Sequence, residues 1–123
     1  MARLETQFWQ YWKKNTPSIS WTRLENTSSF GTPDLLGYNK NKFFFTVELK
    51  VAKGSSVRLS PHQISFHLRH PKNSFILVKT TPSSLLKLYE GDQVQELSTL
   101  GLRLKPLVSG LEECVSKLCD LGS

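Results

Sequence analysis

Asp34, Glu48 and Lys50 are the residues in this chain best suited to reaction chemistry. Asp34 follows Pro33, and thirteen residues separate it from the triplet Glu48-Leu49-Lys50. Carboxylate oxygens are hard ligands that suit Mg²⁺, an ion that takes one or two protein carboxylates and leaves its other positions to water and phosphate oxygens. An ammonium group beside such a pair can orient an attacking water or neutralise charge developing on a phosphate. Apart from one another the residues say little. Glu48-Leu49-Lys50 alone also describes a solvated strand face, and Asp34 alone a turn residue.

Local structure must bring them together. Residues 42–51 form the strongest strand signal, rich in Phe and Val. Side chains alternate along a strand, so Phe43, Phe45, Val47 and Leu49 share one face and Phe44, Thr46, Glu48 and Lys50 the other. Residues 34–38 read as a second strand, joined to the first by the turn Asn39-Lys40-Asn41. In that hairpin Asp34, near the start of one strand, comes opposite the end of the other. Two carboxylates and an ammonium then converge.

The flanking elements follow from periodicity. Leu4, Phe8 and Trp12 recur every four residues, predicting an amphipathic helix over 3–14 that ends at Asn15-Thr16-Pro17. Residues 18–25 alternate as a strand, and 26–32 are polar and glycine-containing, a loop. Ser60 as N-cap, Pro61 at the first helical position and Gln63 three after the cap predict a helix over 60–70. Residues 74–80 are a nearly continuous apolar run, a buried strand. Beyond Pro82 the spacing predicts a short helix over 84–90, a strand over 94–97 and a helix over 106–121. In the last helix Val108, Leu111, Val115 and Leu118 form one apolar seam, for the home core or for a dimer contact.

The chain has 123 residues, 38% hydrophobic and 21% charged, which fits one globular domain, 1–123, and excludes a disordered chain. No apolar run nears the length of a membrane span, and the first residues lack the apolar core of a signal peptide, so an intracellular protein without a membrane partner is expected. Cys114 and Cys119 point to different faces of a helix and support neither a disulfide framework nor a zinc site. His62, His67 and His70 are spaced by five and three, a poor fit to a shared metal; His67 or His70 is expected to face solvent or nucleic acid. Trp9, Trp12 and Trp21 read as core.

The net charge of +6 is unevenly spread. Residues 1–80 carry 12 Lys and Arg against 4 acids, a net of +8, while residues 81–123 are net negative at −2. A surface that meets a polyanion sheds carboxylates, because each repels phosphate. The four retained in the basic part are Glu5, Glu25, Asp34 and Glu48. Lys53, Ser55, Ser56 and Arg58 form a flexible basic loop suited to phosphate contact, with His62 close behind and Lys13, Lys14, Lys40 and Lys42 as an extension of the track.

Gly31-Thr32-Pro33-Asp34, Glu48-Leu49-Lys50 and Ser60-Pro61-His62-Gln63, set in an αβββαβ order, resemble the PD-(D/E)XK nuclease superfamily. Within it the sequence looks most like small virus-type replication-repair nuclease (VRR-NUC) domains and archaeal-type Holliday junction resolvases. The resemblance covers residues 3–80, the core; residues 81–123 are a C-terminal extension without a match. It implies an α/β, restriction-endonuclease-like fold: a central mixed sheet flanked by helices, plus a C-terminal helix. It further implies that Asp34 and Glu48 bind Mg²⁺ or Mn²⁺ with the main-chain carbonyl of Leu49, that Lys50 is the catalytic lysine, and that Glu5 and Gln63 join the site. Glu5 also reads as an acid complementing the helix dipole, and Gln63 as part of a capping box. The function so implied is a metal-dependent endonuclease acting on branched DNA, as a homodimer. The alternatives are a sequence-specific restriction-type nuclease and a nucleic-acid-binding module without catalysis.

Overall fold

The computed structural model describes residues 3–24 and 31–123. Glu25 and most of the predicted loop, 26–30, lie outside the described residues. Helix α1 (Arg3–Lys14) buries Phe8, Trp9 and Trp12, while Leu4, first of the expected stripe, is exposed. Strands β1 (Ser20–Arg23), β2 (Leu35–Tyr38) and β3 (Phe44–Lys53) follow, then helix α2 (Pro61–Arg69) and strand β4 (Ser74–Thr81). This is the expected αβββαβ order.

The six strands form one sheet in the order β1-β2-β3-β4-β5-β6. β1, β2 and β3 are antiparallel neighbours. β3 and β4 pair in parallel, with α2 as the crossover between them. β5 (Leu86–Glu90) and β6 (Val108–Ser109) extend the sheet antiparallel.

The chain beyond Pro82 departs from expectation. Residues 86–90 are β5, not a helix: Leu86 and Leu88 enter one core and Tyr89 the other. A short run buried on both faces has no polar alternation to announce a strand. Residues 94–100 are helix α3, not a strand, with Val94 and Leu97 one turn apart on the second core. The last helix, α4 (Leu111–Cys119), begins later than expected because Val108 lies in β6 and Gly110 turns the chain with φ 95°. The seam from Leu111 to Leu118 packs on the home core, with Cys114 and Leu118 fully buried. Of the two readings of this seam, the home core and a dimer contact, the structure shows the first, with Leu111 and Val115 partly buried against the same core.

Two cores result, one on each face of the sheet. α1 and α4 cover Phe45, Val47, Leu49, Phe75 and Leu77; α2 and α3 cover Ala52, Ile76, Val78 and Tyr89. The three tryptophans belong to the first, with Trp21 partly buried. The β2–β3 turn is fastened to α4: Asn39 Nδ2 donates to the carbonyls of Leu118 and Leu121, both at 2.9 Å.

Candidate active site

β3 has partners on both edges for only part of its length. Its pairing with β2 ends at Leu35–Val47, whereas its pairing with β4 continues to Lys53. The edge opened beyond Val47 is where Asp34 sits, one residue before β2. Its Oδ2 accepts the main-chain N–H of Leu49 at 2.8 Å, taking the place of the missing strand partner. The N–H and C=O of one strand residue point to the same edge, so the Leu49 carbonyl faces that opening as well.

On the face under α2, Glu48 and Lys50 stand side by side, bridged by Gln63 from the first turn of the helix. Gln63 Nε2 donates to Glu48 Oε2 at 3.2 Å, and Gln63 Oε1 accepts from Lys50 Nζ at 3.1 Å. The same oxygen accepts the Ser60 main-chain N–H at 2.9 Å, while Ser60 Oγ accepts from the Gln63 main chain at 3.1 Å. Gln63 is thus at once the far half of a capping box and the link between carboxylate and ammonium.

Glu48 is buried, with 3% of its surface exposed. Burial and the adjacent Asp34 carboxylate push its pKa up to about 9, against the pull of Lys50. Its Oε1 is buried with no hydrogen-bond partner. The buried Glu48 carboxylate with one oxygen unsatisfied, the half-buried Asp34 carboxylate next to it and a free-edge carbonyl form an all-oxygen donor set that fits a hard divalent cation. Glu5 raises the Glu48 pKa further through its charge, yet among the described residues no three His, Cys, Asp or Glu side chains converge as a metal cluster. Glu5 faces the site from α1 without joining its carboxylates.

A cavity of about 490 Å³ opens beside Lys50, lined by Leu4, Glu5, Val51, Lys53, Ser56 and Arg58. The strap leading to Asp34 rests on α2: Gly31 has φ 81°, and a Cβ there would run into the His62 carbonyl. The basic loop is tethered rather than flexible, since Leu102 N–H donates to the Ser55 carbonyl at 2.7 Å.

The chain resembles in structure the Holliday junction resolvase Hjc of the archaeal hyperthermophile Archaeoglobus fulgidus, with a TM-score of 0.54 and 16% sequence identity, over 74% of this chain and 77% of that one. The two share a fold. No family profile matches the sequence, and no curated protein is significantly similar to it. The resolvase-like fold is restriction-endonuclease-like: a six-stranded mixed sheet flanked by helices, with a helix at the C-terminus.

The structure brings together Asp34, Glu48, Leu49, Lys50 and Gln63, with Glu5, Lys53, Ser56 and Arg58 around the adjoining cavity. Ser55 and His62 are exposed nearby and do not line that cavity. Lys40 and Lys42 belong to the far end of the hairpin; Lys42 is six positions before Glu48, up to roughly 20 Å along an extended chain. Lys13 and Lys14 close α1, eight residues or roughly 12 Å along the helix from Glu5. His67, expected to face solvent or nucleic acid as an alternative to His70, is fully buried, and His70 is exposed. Lys79 was not singled out by the sequence; it lies over the Tyr11 ring at 5.4 Å, on β4 beside Val51. Among the described residues no helix is long and apolar enough to cross a membrane.

Proposed function

We propose that this chain is a PD-(D/E)XK-type endonuclease, dependent on Mg²⁺ or Mn²⁺, that hydrolyses phosphodiester bonds in branched DNA inside the cell, working as a homodimer. Its relatives in that reading are the archaeal-type junction resolvases and the VRR-NUC domains. The observation that carries the reading is the chain of contacts from Lys50 through Gln63 to Glu48, next to Asp34 on an open strand edge. The fold shared with an archaeal Holliday junction resolvase supports the same conclusion.

Asp34, Glu48 and the Leu49 carbonyl would hold a divalent cation, which would supply Lewis-acid polarisation of the scissile phosphate. Lys50, aimed by Gln63, holds the attacking water in line and meets the negative charge that grows on the phosphate oxygens. Gln63 ties the ammonium to the carboxylate through the two ends of its amide. Lys53, Ser56 and Arg58 seat the neighbouring phosphates along the cavity.

Incubation of the protein with a four-way junction, a flap and a plain duplex, in Mg²⁺, Mn²⁺ or EDTA, tests this reading. Metal-dependent cutting of the branched substrates is expected, with Glu48→Ala abolishing cleavage and leaving binding intact. Binding without cleavage under every metal condition overturns the enzyme and favours a binding module. Cleavage of one duplex sequence alone overturns the preference for branches. Sedimentation of the free protein reports on the dimer.

A further inference from the structure

The C-terminal extension reaches the active site through the strap between β3 and α2. Ser55 on this strap gives its carbonyl to the Leu102 N–H at 2.7 Å. Gly101 lies against the same carbonyl: its φ is 61°, and a Cβ added there would collide with the oxygen. Two residues on, Val57 packs with Val94 and Leu97 of α3. α3 is thereby held beside the strap, and Ser98 on it joins α2 in lining a second open cavity of about 570 Å³. Lys50 and Arg58 line this cavity and also the one beside α1.

The two cavities differ in what else they offer. The one beside α1 adds Lys53 and Ser56, groups that suit phosphate. The second adds no further charge; its apolar lining is Val57, Leu59 and Ile64. An apolar lining with a few fixed polar groups is the make-up of a site for an organic ring rather than for a phosphate. Two of its hydroxyls are set for opposite roles. Ser60 Oγ accepts from the Gln63 main chain at 3.1 Å and keeps its proton to donate. Ser98 Oγ donates to the Gln95 carbonyl at 3.0 Å and keeps lone pairs to accept. Arg58 is exposed, and its planar guanidinium can stack on a flat ring.

We propose that this second cavity takes one unpaired nucleobase, that of the nucleotide next to the scissile phosphate at a branch point. The inference rests on the proposed nuclease reading, in which Lys50 meets that phosphate. Lys50 and Arg58 hold the backbone at the boundary common to both cavities. The neighbouring phosphates lie toward Lys53 and Ser56, and the base turns the other way, under Arg58 and between the hydroxyls of Ser60 and Ser98. Drawing a base out of a continuous duplex costs a few kcal/mol, whereas a branch supplies one already unpaired. The pocket is therefore a physical source of preference for branched DNA, and Ser98 brings the C-terminal extension into substrate selection.

The experiment compares two flaps, one intact and one made abasic at the first unpaired nucleotide. Affinity of the full chain is measured by fluorescence anisotropy in EDTA, so that nothing is cut. Wild-type protein is expected to bind the intact flap about tenfold more tightly. An abasic site three nucleotides further out should leave affinity unchanged. Arg58→Lys keeps the charge and gives up the plane. It should weaken binding of the intact flap about fivefold and leave the abasic flap unaffected. Its salt dependence should match the wild type, whereas a lost phosphate contact lowers that slope by about 0.7–0.9. Equal wild-type affinity for the two flaps overturns the inference. So does an Arg58→Lys protein weakened equally on both, which would make Arg58 a phosphate contact alone. Cleavage in Mg²⁺ or Mn²⁺ is scored separately. Cutting of the flap without a preference for the intact strand sinks the pocket and leaves the nuclease standing. The preference without any cutting supports the pocket and overturns the nuclease.

Discussion

Adjacent residues of β3 live in opposite environments. Phe45, Val47 and Leu49 are buried against α1 and α4 in an apolar core, with Trp21 and Phe75 set edge-on to Phe45 at 5.6 and 6.2 Å. Thr46, Glu48 and Lys50 point under α2 into a polar stripe completed by Gln63, His67 and Ser74. Burial separates them only in part: Thr46 and Lys50 are half-buried, but Glu48 is 3% exposed, close to the 1% of Leu49. Unpartnered side-chain atoms cluster on the polar side, at Thr46, Glu48 and His67, with Trp12 Nε1 a single counterpart in the apolar core. An unsatisfied buried polar group costs about 1–3 kcal/mol, so the polar face is a net burden on folding. The dry face offsets that burden through the same strand, which is why a site of this kind sits on a central strand rather than an edge.

If the division is real, substitutions on the two faces should fail in different ways. Apart from Glu48→Ala, Lys50→Ala is expected to show the largest effect on activity, a loss of about 10²–10⁴-fold in cleavage, with the urea midpoint nearly unchanged. Phe45→Ala should do the opposite, lowering stability by about 3–5 kcal/mol while residual folded protein keeps its specific activity. Paired measurements of denaturation and of junction cleavage on both variants check the contrast. It breaks down if Lys50→Ala unfolds the protein as readily as Phe45→Ala does.

The sequence displayed the dry face and half of the polar one. Alternation along 42–51 separated Phe45, Val47 and Leu49 from Glu48 and Lys50 without ambiguity, because a period of two is strong when one side is apolar. The capping box announced the start of α2 at Ser60, and hence the place of Gln63. Neither signal could reveal that Gln63 caps the helix and bridges Lys50 to Glu48 with the same amide, since that depends on how the helix lies on the sheet. His67 could not be told from His70 as the buried ring for the same reason. Its helix has three histidines and a weak apolar stripe, and only the packing of α2 over Ser74 decides which ring is buried. Residues 86–90 were illegible in type because a short apolar segment buried on both faces suits helix and strand alike, and 94–97 offered only Val94 and Leu97, too few apolar positions to fix a period.

Gly31 tests how the polar face is assembled. Its φ of 81° and its approach to the His62 carbonyl press the strap before Asp34 onto the first turn of α2. An L-residue in a left-handed conformation costs about 1–2 kcal/mol, and the added Cβ must also push the strap off the helix. Gly31→Ala is therefore expected to destabilise by about 2 kcal/mol and to lower cleavage as well, by moving Asp34 away from the Leu49 N–H. Full cleavage activity in a folded Gly31→Ala protein would show that the strap does not position Asp34.

The polar face also predicts how stability responds to acid. Burial, with the nearby His70 and Lys50 charges, lowers the His67 pKa from 6.5 to about 4. The unfolded chain then binds a proton between those values that the folded chain refuses, so stability falls as pH drops through that window. The contribution is complete above about pH 7 and is lost progressively down to pH 4, amounting to about 2 kcal/mol after allowance for solvent reaching the ring. Glu48 has the opposite sign, because its raised pKa favours the folded state at low pH, and it tilts the wild-type profile the other way. Comparison with His67→Gln removes that tilt, since both proteins keep Glu48. The difference between their urea-unfolding free energies should therefore be flat above pH 7 and swing against the wild type by about 2 kcal/mol between pH 6.5 and 4. A difference that stays constant across that window would mean that the buried imidazole accepts a proton as easily folded as unfolded. The face under α2 would then be wetter than its burial implies, and the contrast between the two sides of β3 correspondingly smaller.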